Sequence, residues 1–288
     1  MEKIRESDFK YICEHIANGN CIFFLGAGAG VSKVSKRSLP TGNALAQDLA
    51  SGLPLTNAKY LPLPMISLYY ELLKDRPMLD DFLIDKLNSK DLETPETYKA
   101  IVDIIKYQCD SKILPLVITT NYDLFLEKEL VLRGIYHEVF IQNKSEEIDE
   151  FWLPEKGKDA ILYKFHGCLN KKESIVITDE DYIEFLCGIF NRSKIPYHLQ
   201  LLVQSKSILF IGYSLLDWDF RVFFKSVEDQ RKSHRKKHFA VLLKPKELSD
   251  DVWSACKKFW LKKEVYIIEY DALEFLNEIK KELGVMSP

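Results

Sequence analysis

Short apolar runs recur along the chain, and stretches with helical periodicity separate most of them. The runs are nearly continuous rather than alternating, which is typical of strands buried on both faces of a sheet. They lie at residues 21–25, 113–119, 139–141, 160–165, 207–212, 238–243 and 265–270. Because strands that alternate with helices form parallel sheets, the pattern predicts an α/β fold with a doubly wound, Rossmann-like parallel sheet.

Capping residues and apolar spacing predict the helices between these strands. Ser7 is a candidate N-cap of the first helix. Thr178 and Asp181 form a capping-box pattern at the start of a later helix. Residues 53–112 differ from the rest, because three prolines precede apolar residues at helical spacing. We interpret this stretch as a helical insertion in a single domain that covers residues 1–288.

Composition and charge argue against several classes of protein. The 288 residues are 47% hydrophobic, and a net charge of −3 gives no general attraction to nucleic acid or anionic membranes. No apolar run reaches the roughly 18 residues of a membrane span, and the polar N-terminus does not resemble a signal peptide. Six cysteines without a C-x-x-C pair indicate a reduced, cytoplasmic protein without structural zinc. The basic run at 231–238 is interpreted as a solvated loop, with a partner or polyphosphate contact as the alternative.

Polar residues and glycines follow four of the predicted strands, at the point where each strand ends. They are the glycines of residues 26–30, the pair Asn121 and Asp123, the pair His166 and Gly167, and residues 212–214. Because parallel strands end at the same edge of a sheet, where ligands bind, we expect one polar cluster there. Each feature also has a structural explanation: a tight turn, a helix cap or a buried structural histidine.

The glycines at residues 26, 28 and 30 form a G-x-G-x-G pattern after the first strand. Glycine lets the backbone approach a pyrophosphate and donate N–H groups to it. The spacing differs from the G-x-G-x-x-G of dehydrogenases, and no acidic residue closes an obvious second strand about 20 residues further on. A nucleotide site and a tight turn both remain open as explanations of these glycines.

Five motifs, in this order, resemble the sirtuin-type NAD-binding domain. They are FLGAGAG, SLPTG, TTNYD, KFHG and GYSL. The sequence is more similar still to the sirtuin-like NAD-hydrolysing proteins of bacterial anti-phage defence, which have counterparts of the segments at 177–182 and 212–221. The resemblance covers residues 20–225, and it implies a sirtuin-like fold with NAD as the substrate.

The resemblance implies that Asn121 and His166 are the catalytic residues. Cleavage of the nicotinamide–ribose bond expels a neutral leaving group from a pyridinium cation, so it requires no glycosidase-type pair of carboxylates. Asn121 can orient water or the ribose hydroxyls through its amide, and a histidine can take a proton near neutral pH. Asp123 can hold the nicotinamide amide or stabilise the developing positive charge.

The resemblance also implies which residues bind the rest of NAD. Three segments would contact it: Gly26, Ala27 and Gly28 at the pyrophosphate, Pro40 and Thr41 in a flexible cofactor loop, and Gly212, Tyr213 and Ser214 along the adenosine half.

The sequence departs from the family pattern in two places, and the second bears on which reaction of the family we expect. Gly30 intervenes after the GAG sequence, so Ser32 is the candidate for the serine that family members usually carry, and the loop between residues 28 and 40 is longer than in sirtuin deacylases. The cysteine quartet that holds the zinc module of those deacylases is missing, so no metal is expected. We therefore expect an NAD glycohydrolase (NADase) that gives nicotinamide and ADP-ribose. An NAD-dependent protein deacylase and a non-catalytic NAD or ADP-ribose-binding module remain as alternatives.

The resemblance further implies a biological setting and partners. Relatives of this kind deplete NAD on infection, as effectors of abortive infection. Because the resemblance takes up most of the chain, we expect control by a homo-oligomer, by a separate sensor or activator chain, or by both, without direct contact to nucleic acid. Replacing Asn121 or His166 by alanine is expected to abolish hydrolysis and leave the fold intact, because both residues follow strands rather than lie in the core.

Overall fold

The protein folds around one parallel β-sheet. The structure, a computed structural model, describes residues 4–31, 38–54, 60–88, 92–142, 154–190, 195–215, 221–222, 224–225, 236–245 and 248–285. Its strands are β1 (Cys21–Leu25), β2 (Leu116–Thr119), β3 (His137–Ile141), β4 (Ala160–Lys164), β5 (Ser207–Ile211), β6 (His238–Val241) and β7 (Val265–Ile268). They lie in the order β3-β4-β2-β1-β5-β6-β7, and all neighbouring pairs are parallel.

Helices cover both faces of this sheet. They are α1 (Glu6–Ala17), α2 (Gly42–Ser51), α3 (Leu63–Leu73), α4 (Arg76–Leu87), α5 (Glu96–Asp110), α6 (Phe125–Leu132), α7 (Asp179–Phe190), α8 (Tyr197–Ser205), α9 (Asp250–Leu261) and α10 (Ala272–Glu282). Alternate strand residues enter two separate cores, with Phe23 in one and Phe24 in the other. Helices α1, α2, α5, α6 and α10 pack on the first face, and α7, α8 and α9 pack on the second. The predicted doubly wound parallel sheet is therefore confirmed.

The predicted capping residues are confirmed at the start of α7 but not at the start of α1. At the start of α7 the N–H of Asp181 donates to Thr178 Oγ1, and the N–H of Thr178 donates to Asp181 Oδ2, which confirms the capping box. The prediction that Ser7 caps α1 is wrong, because Arg5 is the N-cap residue and Ser7 lies inside the first turn. The acidic residues of that turn, Glu6 and Asp8, lie near the positive end of the helix dipole and stabilise the start of α1.

The region between β1 and β2 contains two kinds of helix. Helix α5 packs on the sheet like the other crossover helices and buries nine residues. Helices α3 and α4 form an added layer that touches α2 and α7. The division of the chain into a single domain with an insertion at 53–112 stays a prediction.

Some sequence predictions fall outside the described residues. Ser32 does so, as does most of the basic run at 231–238. The end of that run is not a solvated loop, because His238 is buried at the start of β6 and accepts a hydrogen bond from the N–H of Ile208 over 3.0 Å. Among the described helices, none combines the length and the apolar character that a membrane crossing requires.

Candidate active site

The register of the sheet brings the predicted site residues to one level. Four residues of the adjacent strands β5, β1, β2 and β4 pair across the sheet in one row: Ile211, Leu25, Thr119 and Lys164. The residues two positions beyond this row are Tyr213, Ala27, Asn121 and His166. Neighbouring strands lie about 4.8 Å apart, so one edge of the sheet gathers all four chain segments. The winding direction reverses between β1 and β5, which is where such sheets bind ligands.

Asn121 is held by hydrogen bonds from its side-chain amide. Its Nδ2 donates to the carbonyl oxygen of Gly26 over 3.0 Å and to the hydroxyl of Tyr98 over 2.7 Å. Its backbone N–H donates to Thr119 Oγ1 over 3.0 Å. These contacts tie the loop after β2 to the glycine turn after β1 and to helix α5. Asn121 is only partly buried, so its side chain borders the edge of the sheet.

Asp123 is buried, with 4% of its surface exposed, and both of its carboxylate oxygens accept hydrogen bonds. The N–H of Phe125 donates to Oδ1 over 3.0 Å at the start of α6, and the Tyr98 hydroxyl donates to Oδ2 over 3.1 Å. Burial raises the pKa of Asp123 although the nearby Lys164 opposes this. The prediction that Asp123 is the helix cap is wrong, because Leu124 is the N-cap residue of α6. Asp123 lies one position earlier and accepts from the first N–H of the helix.

A buried lysine lies beside this carboxylate. Lys164, the last residue of β4, is 1% exposed, and its Nζ lies 3.1 Å from Glu127 Oε1. The same Nζ donates to the backbone carbonyl of Asp123. Burial works to lower the pKa of Lys164, but Glu127, Cys168 and Asp123 together outweigh it and leave that pKa above its ordinary value. Lys164 is therefore a buried cation, and it anchors the loop that carries Asp123.

His166 is packed among aromatic side chains and is 4% exposed. Its ring centroid lies 5.3 Å from that of Tyr182 and 5.5 Å from that of Phe185, nearly perpendicular to both. Its carbonyl accepts from the N–H of Val176 over 3.0 Å. The expectation that His166 lies outside the core is therefore wrong, because the segment at 174–178 folds back over it. An alanine at this position would leave a cavity.

The segment over His166 is fastened to the added helical layer by Arg76. Its Nη2 donates to the carbonyl of Ile175 over 3.0 Å, and its Nη1 lies 2.9 Å from Asp181 Oδ2. Its Nε lies 2.9 Å from Asp80 Oδ1 within α4. The guanidinium fork thus joins α4 to the capping box of α7 and to the extended stretch beside His166.

The glycine turn after β1 packs against the loop after β5. The N–H of Gly28 donates to the carbonyl of Gly212 over 2.9 Å, and the N–H of Gly26 donates to that of Ile211 over 3.1 Å. A Cβ at Gly28 would lie 2.7 Å from the Gly212 oxygen, and Gly212 has a φ of 63°, where glycine is favoured. The tight-turn explanation of these glycines therefore holds. Contact of Gly26, Ala27 and Gly28 with a pyrophosphate stays a prediction.

Pro40 and Thr41 lie beside the same turn. The N–H of Leu39 donates to the carbonyl of Gly30 over 3.2 Å, which holds this segment against the glycines. Thr41 Oγ1 accepts from the N–H of Ala44 over 3.2 Å, so Thr41 is the N-cap of α2. The structure thus brings both residues near the turn and gives Thr41 a structural role. Their place in a cofactor loop stays a prediction.

Tyr213 contributes its backbone rather than its ring to this edge of the sheet. The ring is buried in the second core, with its centroid 5.1 Å from that of Phe24 and 6.3 Å from that of Phe210. A Cβ at Gly26 would lie 2.7 Å from Tyr213 Cα, so the two backbones meet closely. Ser214 is partly buried. Contact of residues 212–214 with the adenosine half stays a prediction.

Sequence reasoning missed three residues that shape this site. Tyr98 lies 23 residues before Asn121, on a helix with no motif. Arg76 lies in the helical region before β2, where no motif marks it. A lysine at the end of an otherwise apolar strand was a signal that could have identified Lys164. Within the described ranges, no group of three or more His, Cys, Asp or Glu side chains could hold a metal ion.

Comparison with known proteins gives a family match and several distant relatives. Residues 115–268, more than half of the chain, match the model of the SIR2-like domain. The chain is 25% identical over 239 residues to NAD(+) hydrolase ThsA of Enterococcus faecium, which covers 82% of this chain and 45% of that protein. It is 23% identical over 272 residues to NAD(+) hydrolase ThsA of Bacillus cereus (strain MSX-D12), covering 93% and 52%.

A third relative has a name that refers to defence. The chain is 25% identical over 255 residues to defence-associated sirtuin 2 of Bacillus subtilis, which covers 84% of this chain and 22% of that protein. The chain therefore spans about half the length of the two NAD(+) hydrolases and less of the defence-associated sirtuin.

Proposed function

The chain belongs to the SIR2-like domain family, and on that premise we propose that it is an NAD glycohydrolase (NADase) that converts NAD and water to nicotinamide and ADP-ribose. The observation that carries the proposal is the register of β2 and β4. It sets Asn121 and His166 at equivalent positions beyond paired residues, at the edge where a parallel sheet binds its ligand. Relatives named NAD(+) hydrolases support the choice of substrate and reaction.

The proposed reaction breaks the bond between nicotinamide and C1′ of the ribose. Nicotinamide leaves with the bonding electron pair as a neutral molecule, a water oxygen bonds to C1′, and that water loses one proton. Asn121 orients the water or a ribose hydroxyl, and His166 takes the proton. Asp123, whose oxygens each accept one hydrogen bond inside the protein, acts through its charge and its hold on Tyr98, and its remaining lone pairs can bind the nicotinamide amide.

Nicotinamide release from NAD by the purified chain tests this proposal. We expect Asn121→Ala and His166→Gln each to lower the rate by about 100-fold or more. Glutamine is chosen at His166 because it fills more of the buried site than alanine would. His137→Gln, at the first residue of the parallel strand β3 and therefore at the opposite edge of the sheet, is the matched control and should retain the wild-type rate.

Other results would point to the alternatives. If either Asn121→Ala or His166→Gln keeps most of the activity, the role proposed for that residue is wrong. Calorimetric binding of NAD without any release would leave a non-catalytic NAD or ADP-ribose-binding module or an effector that requires its activator chain, and co-purifying proteins would then be added to distinguish the two. NAD loss that requires an added acyl-lysine peptide would favour a deacylase.

We also propose the setting in which this activity operates. The protein would act as a cytoplasmic effector of anti-phage defence that depletes NAD by abortive infection. Relatives named as an NAD(+) hydrolase and as a defence-associated sirtuin support the NAD-depleting and the defence parts of this proposal. Control by a homo-oligomer or by a separate sensor chain belongs to the same proposal. Light scattering of the purified chain tests the first form of control, and identification of co-purifying proteins tests the second.

A further inference from the structure

We propose that Tyr98 is a positioning residue that sets the orientation of the Asn121 amide, so that Asn121 meets the reacting group as a hydrogen-bond acceptor through Oδ1. The orientation follows from the geometry of the described residues. The identity of the reacting group, a water or a ribose hydroxyl, rests on the proposed function.

The partners of Asn121 decide which way its amide faces. Nδ2 lies 3.0 Å from the carbonyl oxygen of Gly26, and a backbone carbonyl only accepts hydrogen bonds. The atom that faces Gly26 must therefore be the nitrogen. The same nitrogen lies 2.7 Å from the Tyr98 hydroxyl. The two donors of the amide are thus both used inside the protein.

The direction of the second hydrogen bond is fixed by Asp123. The Tyr98 hydroxyl lies 3.1 Å from Asp123 Oδ2 and donates its single proton there. Its oxygen is then left to accept from Asn121 Nδ2. Burial, followed by the nearby Asp123 carboxylate, raises the pKa of Tyr98 well above its ordinary value, so the hydroxyl keeps the proton that this arrangement needs.

The consequence is a defined chemical role for Asn121. Because both amide donors are used, any group that Asn121 binds at the site must itself donate to Oδ1. A water molecule or a ribose hydroxyl can do this, whereas the oxygen of a carboxamide cannot. An oriented carbonyl oxygen also carries partial negative charge, which suits a reacting carbon that becomes more positive. The sequence predicted that the Asn121 amide orients the water or the ribose hydroxyl. The structure indicates that Oδ1 is the atom of the amide that does so.

The location of Tyr98 makes the arrangement rigid. Tyr98 belongs to α5 and is 1% exposed. Its hydroxyl lies between the side chains of Asn121 and Asp123, which belong to the loop after β2. A side chain packed inside the first core has one accessible rotamer, so its hydroxyl is a fixed reference point for the amide. Without that hydroxyl, only the bond to Gly26 would hold the amide, and the side chain could rotate about it.

The central experiment compares Tyr98→Phe with Tyr163→Phe. Each change removes one hydroxyl from a tyrosine that is 1% exposed, and the Tyr163 hydroxyl bonds Gln142, just after the edge strand β3. We expect Tyr98→Phe to lower kcat for nicotinamide release by about 10- to 100-fold, with little change in KM or in calorimetric binding of NAD. Tyr163→Phe should lose comparable thermal stability and keep the wild-type kcat. Equal kcat values for Tyr98→Phe and the wild type would overturn the proposal.

Side-chain amide NMR separates this inference from the proposed function. In ¹⁵N–¹H spectra, with the Asn121 signals identified by Asn121→Ser, both amide protons should be protected from exchange in the wild type. Tyr98→Phe should remove the protection of one proton, and Tyr163→Phe should not. That result together with no nicotinamide release from any variant, with or without co-purifying proteins, would refute the NADase and leave the positioning role standing. Unchanged Asn121 signals in Tyr98→Phe would refute the positioning role, whatever the activity.

Discussion

At the residue scale, the side chain of Asp123 has both a structural role, at the start of α6, and a role at the candidate site, through Tyr98. Its Oδ1 accepts from the N–H of Phe125, the first residue of α6, one position before the N-cap residue Leu124. Its Oδ2 accepts from Tyr98, which in turn orients Asn121. A sequence motif can place a carboxylate at a strand end, but it does not tell which of its oxygens is used for which purpose.

Replacing Asp123 by asparagine should reveal the burial of its carboxyl group as a pH effect. Burial raises its folded-state pKa above 3.8, so the folded protein binds this proton more tightly than the unfolded chain does. The associated stability is complete below the unfolded pKa and is lost as the pH rises through the folded pKa. The wild type should therefore lose stability relative to Asp123→Asn as the pH rises from about 4 to 7 in urea unfolding.

The charged and titratable groups that face Asp123 set the size of this effect: Lys164 on β4, Glu127 on α6 and Tyr98 on α5. Asp251→Asn, at an exposed position in the first turn of α9, is the control for a general effect of removing one negative charge. A stability difference that grows in favour of the wild type with rising pH would mean that pairing with Lys164 outweighs burial.

At the element scale, the added layer of α3 and α4 is attached to the loop that covers His166. Arg76 supplies this attachment through the carbonyl of Ile175 and the carboxylate of Asp181, while Asp80 of its own helix holds its Nε. The side chain of Asp181 is only 7% exposed, so it depends on this guanidinium for charge compensation. Arg76 therefore connects the helical layer to the segment that covers the candidate catalytic histidine.

Arg76→Met should lower the free energy of unfolding by about 1–3 kcal/mol, because it leaves Asp181 partly uncompensated and the carbonyl of Ile175 without its donor. Lys172→Met is the matched control. Lys172 pairs over 3.0 Å with Asp81, which lies on α4 like Arg76, and this pair is exposed. That surface pair should be worth at most about 1 kcal/mol. Urea unfolding measures both variants, and equal losses would show that the Arg76 attachment contributes no more than a surface ion pair.

At the scale of the whole molecule, the site is completed by residues outside the matched family range. That range begins at residue 115, yet β1 lies at the centre of the sheet between β2 and β5. The first face is also closed by α10, whose Lys280 Nζ lies 2.6 Å from Asp103 Oδ2 on α5. Arg133 lies 2.6 Å from the other oxygen of Asp103, so one buried carboxylate joins α5 to α10 and to the end of α6.

Lys280→Met should destabilise the fold by about 1–3 kcal/mol, because Asp103 loses one of two cations in a buried setting and keeps Arg133. Lys281→Met changes the neighbouring, exposed lysine in the same way and should have an effect within about 0.5 kcal/mol. Chemical unfolding followed by tryptophan fluorescence measures the difference. Similar values for the two variants would mean that the buried pair only offsets its own desolvation cost.

The sequence by itself determined which residues form strands and which polar residues follow them. Runs such as residues 21–25 and 207–211 are almost entirely apolar, and that pattern is typical of strands with a core on each face. Because parallel strands end at one edge, the same pattern is sufficient to predict that Asn121 and His166 share an edge of the sheet. Motif order then supplied the family, which the match to the SIR2-like domain confirms.

Only the tertiary structure decided what each of these residues touches. Tyr98 reaches Asn121 from 23 residues away, and Arg76 reaches Asp181 from 105 residues away. Periodicity reports which face of an element is buried, but it carries no information on which other element covers that face. Strand order, register and helix packing settle those contacts together, because they depend on the whole core. The burial of His166 and the direction of the Asn121 amide are therefore properties of the fold and not of the motifs.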